Sequence, residues 1–189
     1  MTDQNSGAQA FGRHLQLVNE ENAEQVRLEQ TQAAKDFLLR RLNSRARTRS
    51  ELAKELREKS FSDDIAKDAL DRLEEVGLIN DDDFAKTWVS TRHRSKGLAG
   101  GVLKQELRQK GVSDDTAQAA LSEISAEEEY ESAKALAQKK YRALQREDRD
   151  TQIRRLVGFL ARKGYASNLC YRVAKEIVSD MPDAVVFEN

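Results

Sequence analysis

Glu51 to Leu73 reads ELAKELREKSFSDDIAKDALDRL, and the chain repeats it fifty-one residues later as VLKQELRQKGVSDDTAQAALSEI, Val102 to Ile124. Leu52, Leu56 and Lys59 fall on Leu103, Leu107 and Lys110. Ser62-Asp63-Asp64 falls on Ser113-Asp114-Asp115, and Ala66, Ala69, Leu70 and Leu73 fall on Ala117, Ala120, Leu121 and Ile124. A more diverged copy, RLVGFLARKGYASNLCYRVAKEI, runs from Arg155 to Ile177 with Leu156, Leu160, Lys163, Gly164, Cys170, Val173 and Ile177 in register. A period near 50 residues marks a repeat architecture. A unit of that size buries too little surface to stand alone, so neighbours or a partner must complete it.

Working outward, each copy reads as two helices around a tight turn. Thr48-Arg49-Ser50-Glu51 is a capping box, with a hydroxyl at the cap and a carboxylate three residues on. The helix it opens runs to about Lys59 and buries Leu52 and Leu56. Ser62 caps the next one, and Asp63 and Asp64 suit its positive N-terminal end. The turn between them holds Ser60 where the later copies hold Gly111 and Gly164, so a left-handed backbone is expected at all three. Gly77-Leu78 reads as a left-handed helix end followed by an apolar residue.

Each unit also has a leading helix. From about Glu20, Val26, Gln30, Ala33, Phe37, Leu38 and Leu42 recur at three- and four-residue steps. Repeat two opens at Asp81-Asp82-Asp83, with Phe84 and Trp88 facing inward, and KGLAGG (Lys96–Gly101) links it to the following helix. Repeat three opens with a long helix from about Ser125 to Gln145, and Asp150-Thr151 is the expected cap of the next. The fold class is all-α: an elongated tandem array of three three-helix, helix-turn-helix-like repeats. Its expected divisions are a mobile segment 1–19, a leading helix with repeat one over 20–79, repeat two over 80–127, repeat three over 128–180 and a tail 181–189.

Charged residues make up 34% of the chain and aromatics 6%, and Pro182 is the only proline, which suits exposed helices. Cys170 is the only cysteine, so an intrachain disulfide and a zinc finger are excluded. It takes the place of Ala66 and Ala117 and reads as a buried structural thiol. No apolar run approaches the length of a membrane span, and residues 1–19 carry no signal-peptide pattern, so a cytoplasmic protein is expected.

No catalytic constellation is present. Gly97 to Gly101 lacks the lysine and hydroxyl of a phosphate loop. His14 and His93 are isolated, the acidic runs sit at helix starts, and no metal or cofactor site is legible. Trp88 reads as a core anchor.

The net charge of −1 conceals an alternation. Residues 36–59 carry a net +4, 60–85 a net −7, 86–111 a net +6, 112–131 a net −7 and 132–163 a net +7. The basic zones fall on the first two helices of each repeat. Repeat one contributes Arg40, Arg41, Arg45, Arg47 and Arg49, and repeat two Arg92, Arg94 and Lys96. Repeat three contributes Lys139, Lys140, Arg142, Arg154 and Arg155. Two readings stand: solvated faces with internal salt bridges, or a surface for a polyanion or a charged protein groove. Recurrence at equivalent positions favours the second.

ARTRSEL (Ala46–Leu52), LDRLEEVGLINDDDFAKTWV (Leu70–Val89), LKQELRQKGV (Leu103–Val112) and LARKGY (Leu160–Tyr165) together resemble the RecX family of recombination regulators, over about residues 33 to 178. The resemblance implies tandem three-helix repeats and a non-enzymatic protein without cofactors. It implies binding to the RecA recombinase filament, with single-stranded DNA met as part of that filament, and inhibition of its ATPase and strand exchange. The free protein is expected to be monomeric. The alternative is a helix-turn-helix transcription regulator, against which stand the acidic third helices of repeats one and two.

Overall fold

The computed structural model describes residues 4–180, with side chains from Glu20 onward, so the expected mobility of residues 1–19 and the tail after Asp180 lie outside the described side chains. Among the described residues the chain is helical without strands: α1 (Gln4–Ser44), α2 (Arg49–Glu58), α3 (Asp63–Glu75), α4 (Asp81–Lys96), α5 (Gly100–Gln109), α6 (Asp114–Leu121), α7 (Ala126–Tyr141), α8 (Arg149–Arg162) and α9 (Ser167–Asp180). They group as three three-helix repeats. One compact unit ends at Asn80 and holds repeat one; a second begins at Asp81 and holds repeats two and three.

Local chemistry sets the helix ends. Thr48 accepts from Glu51 N and Glu51 answers to the Thr48 backbone, completing the capping box. Ser62 and Ser113 each accept from an amide three residues on. Ser125 opens α7 with a second capping box through Glu128. The cap of α8 is Asp148, which accepts from Thr151 N at 2.9 Å, rather than the expected Asp150-Thr151. The reason is that residues 142–147 fold into tight turns, ending α7 at Tyr141 instead of Gln145 and bringing Asp148 to the helix start. A substitution that removes such a cap costs about 1 kcal/mol.

The turns behave alike. Gly111 and Gly164 have φ of 76° and 96°, and Ser60, at 62°, is the only non-glycine with positive φ among the described residues. Gly77 is left-handed at 73°, and Leu78 N returns to Leu73 O at 2.9 Å. The apolar residue that packs beyond this end is Ile79, 1% exposed, while Leu78 stands 51% exposed.

Each repeat has its own core. Leu52 and Leu56, Leu103 and Leu107, and Leu156 and Leu160 are all fully buried, a leucine pair from the second helix of every repeat. Burying such a side chain contributes about 1.5–3 kcal/mol. Cys170 is also fully buried, and burial pushes its thiol pKa up, as expected of a structural thiol.

The leading helix differs from its expected stripe. Thr31, Ala34 and Leu38 are buried, whereas Val26 is 51% exposed and Ala33 also faces out. Among the described side chains the buried positions of α1 lie between Thr31 and Leu38, where α3 packs against it, and the helix begins at Gln4, well before Glu20. Trp88 is half-buried rather than a full core anchor. Among the described residues no helix is long and apolar enough to cross a membrane.

Candidate polyanion-binding interface

The basic residues singled out by the sequence do different things in the three repeats. In repeat one most of them are consumed internally. Arg41 and Arg47 both pair with Glu55 on α2, and Arg47 keeps only 10% of its side chain exposed. Arg47 Nε is buried without an acceptor among the described residues, so this guanidinium is built into the module. Arg49 bridges to Asp71 and Glu74 on α3, and Arg45 lies 3.6 Å from Glu51. The hydrogen bond that Arg41 donates to Glu55 raises the Arg41 pKa, and bonds donated by Lys67 and Arg49 lower that of Asp71. Arg40 is exposed and has no ion-pair partner among the described residues.

Repeat two is built on the same plan, fifty-one residues on. Phe37 and Arg41 become Trp88 and Arg92, and Glu55 becomes Glu106. Arg41 lies 5.7 Å from the Phe37 ring centre and Arg92 lies 4.2 Å from that of Trp88. Glu106 accepts from Trp88 Nε1 at 2.8 Å and faces Arg92 at 3.8 Å. Lys110 closes the cluster, 4.5 Å from the Trp88 ring centre. Both faces thus combine an aromatic ring, cations and a half-buried carboxylate that neutralises them. Arg94 and Lys96, further along α4, are exposed; Arg94 Nε donates to Ser90 O.

Repeat three breaks the plan. Its buried Ala133, Ala137 and Tyr141 correspond to Ala85, Val89 and His93, which places Leu136 where repeat two has Trp88 and Lys140 where it has Arg92. On α8, Phe159 stands in the register of Glu55 and Glu106. The neutralising carboxylate is gone. Lys163 lies 6.0 Å from the Phe159 ring centre. Among the described residues no carboxylate pairs with Lys139, Lys140, Arg142 or Lys163, while Arg155 pairs with Glu147 at 2.8 Å and Arg154 donates to Thr151 Oγ1.

The three family models that match are RecX, first three-helix domain, over residues 34–73; RecX, second three-helix domain, over 80–121; and RecX, third three-helix domain, over 127–174. The chain belongs to the RecX family. The regulatory protein RecX of Streptomyces coelicolor is 43% identical over 147 residues, 78% of each chain. That of Mycolicibacterium smegmatis is 41% identical over 157 residues, 81% of this chain and 83% of the relative. The crystal structure of RecX from Lactobacillus salivarius superposes with a TM-score of 0.77 at 23% identity, over 79% of this chain and 97% of that one, a likeness of fold. A second crystal structure of a regulatory protein RecX gives 0.75 at 26% identity, over 86% and 78%.

Within this RecX fold the second unit brings the basic ends of repeats two and three together. Ala99 N donates to Lys163 O at 2.8 Å, Gly101 N to Gly164 O at 3.1 Å, and Lys163 Nζ to Lys96 O at 2.9 Å. A Cβ on Gly97 would stand 2.5 Å from Leu136 Cδ1, so this backbone lies directly on α7. Sequence reading took Lys96–Gly101 as a connector; it is a joint between repeats. The signal was present in the glycines, which allow close backbone approach, but nothing in the sequence named the surface approached.

Proposed function

We propose that the protein is a non-enzymatic, cytoplasmic regulator, monomeric when free, that binds the RecA filament on single-stranded DNA and inhibits its ATPase and strand exchange. Membership of the RecX family carries this reading, and the named regulatory relatives support it. The structure is consistent with a binding module. Among the described residues no group of acidic, histidine or cysteine side chains is arranged to hold a metal ion. Tandem modules suit a helical polymer, because successive repeats can address successive protomers.

Cations without an ion-pair partner among the described residues are the candidate contacts: exposed Arg40 in repeat one, exposed Arg94 and Lys96 in repeat two, and exposed Lys139 and Arg142 with half-buried Lys140 in repeat three. The acidic α3 speaks against reading these units as duplex-reading helix-turn-helix domains, since phosphate would be repelled. The test is DNA-dependent ATP hydrolysis by RecA on single-stranded DNA. Hydrolysis should fall at concentrations of this protein below those of RecA. Unchanged hydrolysis at excess folded protein would end the proposal.

A further inference from the structure

Among the described side chains of α1, every position from Glu20 to Gln30 is exposed, and burial begins at Thr31. The helix nevertheless runs through that stretch and starts at Gln4. Gln25 donates to Glu29 at 3.2 Å, Gln32 to Asp36 at 2.9 Å, and Arg27 bridges to Asp68 on α3 at 2.9 Å. Exposed local pairs of this kind are weak, and a helix in a folded protein is stabilised mostly by covering an apolar face. The exposed turns of α1 therefore call for a partner.

One face of the helix is marked for it. Leu28 is 58% exposed and Leu39 is 37% exposed. Position 17 is a leucine too, so leucines recur at steps of eleven residues, about three turns of a straight helix. Glu21 and Lys35 fall on the same face, seven residues to either side of Leu28. Neither has an ion-pair partner among the described residues. Beside Leu28 an open groove between α1 and α3, lined by Lys35, Asp68 and Arg72, leaves room for a second helix.

The pattern is symmetric about Leu28. Turned end for end, the face meets itself with Leu28 on Leu28, Glu21 opposite Lys35 and position 17 level with Leu39. A parallel pair in register would instead set Glu21 on Glu21 and Lys35 on Lys35, which repel. We infer that the Leu28 face of α1 docks α1 of a second copy of this chain, antiparallel, with the two-fold axis at Leu28. A two-fold contact requires such a self-complementary patch. Because burial begins at Thr31, the two repeat-one cores sit toward opposite ends of the overlap and leave the helices free to approach. One helix stripe makes a small interface of the weak, transient class. Dilute free protein thus stays monomeric, and pairing sets in where copies are crowded. The inference does not depend on the filament reading.

The test uses the full chain without RecA, over a range of protein concentrations. Leu28→Cys is oxidised with copper–phenanthroline in air; a disulfide needs Cα atoms within about 7 Å, which the axis provides for this residue and its own copy. Val26→Cys is the control, since Val26 is 51% exposed but lies nearly opposite Leu28 around the helix, and Cys170 is buried in both variants. Leu28→Cys should link into dimers much faster than Val26→Cys. In sedimentation, Glu21→Lys and Lys35→Glu should each raise the dimer dissociation constant about tenfold, because two symmetry-related attractions become repulsions. The double variant Glu21→Lys/Lys35→Glu should return it close to wild type. Equal linking of the two cysteines, no linking of either, or no recovery in the double variant overturns the inference. If wild type pairs as described but never affects ATP hydrolysis by RecA, the α1 contact stands and the filament reading falls.

Discussion

Arg47 is held against the carboxylate of Glu55 with only 10% of its side chain exposed, so the arginine of the RTRSEL stretch joins the end of α1 to α2 inside repeat one. Arg41 shares the same carboxylate. The sequence treats Arg45, Arg47 and Arg49 as surface charges of one kind; the structure separates them. Reversing Arg47 places two carboxylates together in a half-buried corner, where breaking such a pair costs about 3–5 kcal/mol. Arg47→Glu should therefore lower the thermal midpoint sharply. Arg45→Glu, at a side chain 50% exposed, should stay within about 0.5 kcal/mol. Equal midpoints for the two variants in a thermal melt followed by circular dichroism would contradict this division.

Ser60 holds a left-handed backbone, φ 62°, at a place where Gly111 and Gly164 do the same. A Cβ in that region crowds the following carbonyl, and Ser60→Gly removes it. The variant should gain up to ~1 kcal/mol, reduced by the larger unfolded-state entropy of glycine. Denaturant unfolding of the variant reads the sign directly; a lower midpoint would contradict the strain argument.

What was legible in the sequence, and what was not, follows from the range of the interactions. The leucine pairs, the Ser62, Ser113 and Thr48 caps and the left-handed turns depend on neighbours within four residues, and each stands as read. The Asp148 cap was missed because it depends on where α7 stops, which is set by the turns of residues 142–147. The stripe of α1 shifted to Thr31, Ala34 and Leu38 because the position of α3 chooses which face is covered. Charge counting found the basic zones but not their partners, and the exchange of Glu55 and Glu106 for Phe159 acquires meaning only once Arg41, Arg92 and Lys140 are seen to occupy equivalent places.

Acid should loosen both units. Lys134 donates to Glu176 at 2.6 Å and Tyr130 Oη lies at 2.6 and 2.7 Å from its two oxygens, and these bonds hold the Glu176 pKa below the ordinary glutamate value. In repeat one the hydrogen bonds from Lys67 and Arg49 do the same for Asp71. A carboxylate with a depressed folded-state pKa contributes stability that is present above its unfolded pKa and lost as pH falls through the folded one. Stability should thus be level near neutrality and decline below about pH 4, the ordinary range of Asp and Glu. Glu176→Gln should flatten the part of that decline that belongs to repeat three. Identical pH profiles for variant and wild type in urea titrations would assign the acid response elsewhere.

The N-terminus of α5 has no side-chain cap, because Ala99 stands where repeat one has Thr48 and repeat three has Asp148. Carbonyls of repeat three take over: Lys163 O accepts from Ala99 N and Gly164 O from Gly101 N. Two glycines permit this approach. A Cβ on Gly164 would stand 2.6 Å from Val102 N and 2.7 Å from Ala99 O, and one on Gly101 would stand 3.2 Å from Gly164 O. Gly77 is equally left-handed but has nothing within 4 Å of such a Cβ, so Gly77→Ala measures the backbone cost alone, about 1–2 kcal/mol. Gly164→Ala should cost more than Gly77→Ala and should speed hydrogen exchange at Ala99 and Gly101, more than sixty residues away in sequence. Gly101→Ala separates docking from propensity most cleanly. In an unhindered helix that change stabilises by roughly 0.5–1 kcal/mol. Here the added methyl presses on a backbone carbonyl that belongs to the next repeat, so the variant should melt lower and show faster exchange in repeats two and three together. A stabilised Gly101→Ala protein with unaltered exchange would mean that the two repeats are not held to each other by this contact.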